Sequence, residues 1–139
     1  MHRSIVTVIA LCAVALASCG TGIVDQKSTL DGVAEDYVKL SLELGLYDPD
    51  YVDAYSGPPE WKPAPLDSGS VVEFPREKLV RKADELLSRL EAIDATRLED
   101  LERRRLRFLR VHIASARARI ELVGGMKMSF DEESKALYD

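Results

Sequence analysis

The chain is predicted to be all-α, a short helical bundle behind an export signal. Three observations predict it. Apolar residues recur at three- and four-residue spacing over most of the 139 positions, which gives a helix one buried face. No strand pattern, internal repeat or sustained heptad occurs. Two of the helical patterns are separated by a turn so short, at Ala95-Thr96, that they must fold back on each other as an antiparallel hairpin, residues 75–94 against 97–123.

The chain opens with Met1-His2-Arg3 and an apolar run from Ile5 to Leu16, broken only by Thr7, before Leu16-Ala17-Ser18-Cys19-Gly20. A basic start, an apolar segment and small residues at its end describe a secretory signal. The run falls short of the about 20 apolar residues needed to span a bilayer. Leu-Ala-Ser-Cys looks like a bacterial lipobox. Residues 1–18 are therefore expected to be a lipoprotein signal peptide and Cys19 the lipidated first residue of the mature chain. Two or more acyl chains anchor stably where one does not. The expected location is the cell membrane or the outer membrane, on the exported side.

Residues 19–28 read as a tether. A helical module, 29–139, follows. Its first helix starts near Thr29, with Val33, Tyr37, Leu40 and Leu44 on one face and Gly45 as its stop. Asp48-Pro49 predicts a second, short helix, Asp48 capping it and Pro49 in its first turn, with Tyr51, Val52 and Tyr55 on its apolar side. Five of the six prolines then fall between Gly57 and Pro75, a loop beyond the usual length of about 12–15 residues. Trp61, the single tryptophan, is expected to pin this loop to the core.

The hairpin helices come next. Leu79, Ala83, Leu86, Leu90 and Ile93 face inward from the first, which starts at Pro75. Thr96 and Glu99 have the spacing of a capping box for the second, whose stripe runs through Leu98, Leu101, Leu109, Ile113, Ala116, Ile120 and Val123 to the stop at Gly124-Gly125. Ser129 and Glu132 form a further capping box for a last helix. That helix runs to the final residues with no closing glycine or proline, so the module is expected to be an incomplete N-terminal part of a larger helical protein.

Composition limits the function. Removing residues 1–18 leaves 121 residues and takes away Cys12, so Cys19 is the only mature cysteine and no disulfide is expected. The net charge of −5 argues against a nucleic-acid partner. The charge is segregated: nine acids stand against Lys27 and Lys39 between Asp25 and Glu60, and eight arginines against Glu99, Asp100 and Glu102 between Arg97 and Arg119. The basic block either pairs with an acidic helix or forms a face for anionic lipid or another partner.

Catalytic chemistry is sparse. His112 is the only histidine after the signal, and its place beside Ile113 predicts a half-buried packing residue. A zinc site needs three or four converging ligands, which one histidine and an acylated cysteine do not supply. Asp48, Asp50 and Asp53 lack the glycine and distal glutamate of a calcium loop; helix capping accounts for them. No catalytic, cofactor-binding or metal residue and no cofactor is expected.

The stretch from Asp36 to Trp61, above all Tyr51-Val52-Asp53-Ala54-Tyr55 and Gly57-Pro58-Pro59-Glu60-Trp61, with Gly125-Met126-Lys127-Met128-Ser129-Phe130-Asp131-Glu132-Glu133, resembles the N-terminal part of a family of uncharacterised bacterial proteins. Those proteins are several times longer and mostly helical, and carry a His-Glu…His-His motif in their C-terminal half, like helical zinc peptidases. The motif does not occur here, so the resemblance carries over no catalytic residue. It implies a membrane-anchored, non-catalytic N-terminal module of a metallopeptidase-like lipoprotein, its partners the membrane through lipid on Cys19 and a protein partner or C-terminal domain. The other reading is a small complete envelope lipoprotein acting as an interaction or structural module.

Overall fold

The computed structural model describes residues 26–67, 69 and 72–138, which are mainly helical with no strand among them. Four helices follow in order: α1 (Gln26–Gly45), α2 (Arg76–Glu91), α3 (Asp100–Val123) and α4 (Phe130–Tyr138). The signal peptide, Cys19 and most of the tether lie outside the described residues. Helix α1 starts three residues earlier than its spacing predicted, and Leu30 joins the core, fully buried.

The core lies where α1, α2 and α3 meet. Leu30, Val33, Leu40 and Leu44 enter from α1, Leu79, Ala83, Leu86 and Leu90 from α2, and Leu106, Leu109, Ile113 and Ile120 from α3. Lys78 and Lys82 near the start of α2 reach Glu43 near the end of α1, and Arg89 near the end of α2 reaches Asp36. α2 is thus antiparallel to α1. Arg76 to Glu121 and Arg117 to Asp84 show the same relation between α2 and α3, the expected hairpin. Asp31 pairs with Arg105 at one end and Asp48 with Arg119 at the other, so α1 runs parallel to α3. α4 folds back along α3, where the Ser115 hydroxyl donates to the Leu137 carbonyl at 3.0 Å.

The helix ends explain where the reading of the sequence missed. Asp94 accepts from both the Thr96 amide, at 3.0 Å, and the Thr96 hydroxyl, at 2.6 Å. These bonds fold Ala95–Arg97 into a 3-10 turn, and the occupied Thr96 caps nothing. α3 consequently starts at Asp100, where the Glu102 carboxylate accepts from the Glu99 amide at 3.1 Å. Pro75 is the N-cap of α2 rather than a first-turn residue, and α2 stops at Glu91, short of Asp94. At the other end of α3, Gly125 has φ +91°. Its amide bonds to Leu122 O and that of Met126 to Glu121 O, each at 2.9 Å. This is a Schellman motif, which needs a left-handed residue that only glycine adopts cheaply. The Ser129–Glu132 box is present, the Ser129 amide and hydroxyl each donating to Glu132 at 2.8 Å.

The short helix predicted after Asp48 does not form. Residues 48–56 make a turn, with the Tyr51 amide on Asp48 O at 3.0 Å, and then run without regular structure. The Asp48 carboxylate is turned inward to Arg119 and is not free to cap its own backbone. Tyr51 packs on the core. Burial and the adjacent Tyr37 push its hydroxyl pKa up to about 12.

Candidate functional site

The arginine block and the residues around it are the part of the chain that carries chemistry. α3 puts its arginines on two sides. Arg105, Arg117 and Arg119 point along the flanks toward α1, α2 and the turn after α1. Their carboxylate partners are Asp31, Asp84 and Asp48. The Arg119–Asp48 pair closes at 2.6 Å, with Asp48 buried. Arg110 donates to the Leu90 carbonyl at 3.0 Å. Glu121 is buried and receives Arg76 Nε at 2.6 Å. The acidic and basic blocks of the sequence are therefore complementary flanks of packed helices. Donating hydrogen bonds to the Asp84 and Asp48 carboxylates raises the Arg117 and Arg119 pKa further.

The other side of α3 faces outward. Leu101, Arg104, Arg107, Phe108, Val111 and His112 are all exposed there. Leu101, expected in the core stripe, is 77% exposed. It stands five residues ahead of buried Leu106, about 140° around the helix at 100° per residue. Leu106, missed in the sequence, takes the inward position. Its signal was available: it lies three residues before Leu109 and seven before Ile113, on their face.

His112 is also corrected. It is exposed rather than half-buried. Its ring stacks on Phe108, centroids 3.7 Å apart at 24°, and Nδ1 lies 2.9 Å from the Phe108 carbonyl, which fixes Nδ1 as the protonated nitrogen. The pair forms a flat aromatic plate on the surface. Trp61 is half-buried on α1, not in the core. The Lys39 ammonium lies 5.6 Å from its ring centroid, and the 3-10 turn Pro59–Trp61 holds it there. Asp50 and Asp53 are exposed, and only Asp48 of that group is drawn into a pair.

A cleft of about 820 Å³ opens between the start of α2 and the end of α3, lined by Phe74, Arg76, Arg81, Val123 and Gly124 among others. Arg76 spans it to Glu121. Among the described residues no three histidine, cysteine or carboxylate side chains converge to hold a metal ion, and no helix is long and apolar enough to cross a membrane. Comparison with known proteins finds no matching family model, no matching curated protein and no matching solved structure.

Proposed function

We propose that the chain is a membrane-anchored bacterial lipoprotein, held by lipid on Cys19, whose helical body is a non-catalytic module of a metallopeptidase-like envelope protein. The observation that carries the anchor is the Leu16-Ala17-Ser18-Cys19 sequence at the end of an apolar segment. A helical body begins seven residues later, at Gln26. The metallopeptidase relation rests on the resemblance of residues 36–61 and 125–133. In the structure the Gly57-Pro58-Pro59-Glu60-Trp61 segment lies against α1, which gives those residues a packing role. In a longer protein this body would scaffold or cover a catalytic cleft.

The exposed apolar and basic side of α3 favours the second reading, an envelope module that works through an interaction surface. Both share the anchor, which labelling with a fatty-acid probe tests. The wild-type chain is expected to take up the probe and sediment with membranes, and Cys19→Ser to do neither. Equal labelling of the two would refute the proposal. Zinc content and cleavage of a peptide library test the module's role: stoichiometric zinc with cleavage abolished by His112→Ala would refute the non-catalytic assignment.

A further inference from the structure

We infer that the outward face of the first half of α3 docks onto an anionic phospholipid surface, so that the body lies against the membrane that holds its lipid. The inference rests on the anchor reading and adds to it a face and a lipid class.

Three observations carry it. The first is the make-up of the face. Leu101, Arg104, Arg107, Phe108 and Val111 fall within about 120° of arc at 100° per residue, opposite the buried Leu106, Leu109 and Ile113. Bulky apolar side chains interleaved with arginines, on an exposed helix face, are the composition that seats a helix in the headgroup region. Phe108 is held flat by His112, so its orientation is set before contact.

The second is charge. Arg103 pairs with Asp100, Arg105 with Asp31, Arg117 with Asp84 and Arg119 with Asp48. No carboxylate among the described residues pairs with Arg104 or Arg107. Asp100 is the one acid on the face, and Arg103 neutralises it. In a chain of net charge −5, this face keeps an excess of positive charge. Asp131, Glu132 and Glu133 lie in the first turn of α4, which folds against the other half of α3, so the docking face ends before them.

The third is position. α1 is parallel to α3, and Asp31 near its start pairs with Arg105. Cys19 precedes Gln26 by seven residues, a reach of at most about 25 Å. The anchored lipid therefore holds this half of α3 close to the bilayer, and tethering turns a weak surface contact into an intramolecular one. A second copy of the chain fits less well. A two-fold contact would set this basic face against the same basic face of a second copy.

The test reconstitutes the full lipidated chain, carrying Trp61→Phe and Phe108→Trp, in vesicles with brominated acyl chains. One set is phosphatidylcholine and the other phosphatidylcholine with phosphatidylglycerol. The indole at position 108 is expected to be quenched in the anionic vesicles and not in the neutral ones. Arg104→Gln with Arg107→Gln removes two side chains that have no ion-pair partner among the described residues. It should lower the docked-to-undocked ratio about 25-fold, about fivefold per arginine near an anionic surface. Equal quenching in both vesicle sets, or quenching unchanged by the double substitution, would overturn the inference. So would shielding of the indole that grows with protein concentration, which would give the face to a second copy. The mass of the Cys19 peptide from the same preparation reads the anchor separately, so a missing lipid and a missing contact are distinguishable.

Discussion

Leu101 and Leu109 sit on one helix eight residues apart, and the fold treats them oppositely. Leu109 is 3% exposed and Leu101 77%. Leu→Ala removes three carbon groups at about 0.8 kcal/mol each when buried, and a residual cavity adds to this. Leu109→Ala is therefore expected to cost about 3 kcal/mol, within the measured range of about 2–5 for buried leucines. At Leu101 only about a quarter of the side chain is covered, and the cost should stay within about 0.5 kcal/mol. Equilibrium urea unfolding followed by helical circular dichroism measures both. The midpoint should drop for Leu109→Ala with an unchanged slope and stay nearly fixed for Leu101→Ala. Equal losses would place both leucines in the core and refute the face assignment on which the docking inference stands.

Other expected outcomes follow from the ion pairs and the helix ends. Burial pushes the Glu43 carboxyl pKa up, but hydrogen bonds from Lys78 and Lys82 outweigh it and hold it below the ordinary value. A lowered folded pKa means that the unfolded chain takes the proton first, so this stability is present above the ordinary carboxylate pKa of about 4.3 and lost as pH falls through the folded value. Glu43→Gln should be less stable than wild type at neutral pH and lose less between about pH 5 and about pH 3, as thermal melts across that range would show. Asp48→Asn weakens the buried acceptor of Arg119 and should cost about 1–2 kcal/mol in urea unfolding, the partly exposed arginine keeping some of its water. Gly125→Ala forces a side chain into φ +91° and should cost about 1–2 kcal/mol by the same measurement.

The local signals in the sequence were read correctly where one short segment decides the outcome. Gly124-Gly125 stops α3 because the Schellman bonds need only six neighbouring residues. The 3.6-residue spacing of Leu79, Ala83, Leu86 and Leu90 sufficed for α2, and all four are buried. Where two signals compete, the sequence alone does not rank them. Thr96 can cap a helix or donate to Asp94, and the structure uses the second. Asp48 can cap a helix or pair with an arginine 71 positions away, and a distant partner leaves no local trace. Leu30 and Leu106 were legible by spacing, each three residues before a core residue on its own helix, Val33 and Leu109. The arginine block was visible as a block. Which of its members on α3 have no partner among the described residues, Arg104 and Arg107, depends on how α1 and α2 lie against α3, and this is a property of the packed helices.

The proposed membrane location rests on lipid at Cys19. Its most direct measurement is the mass of the N-terminal proteolytic peptide of the mature protein purified from membranes. The expected peptide begins at Cys19 and carries the mass of a diacylglyceryl group, with residues 1–18 gone. A mature N-terminus at another residue, or an unmodified Cys19 in membrane-bound protein, would contradict it.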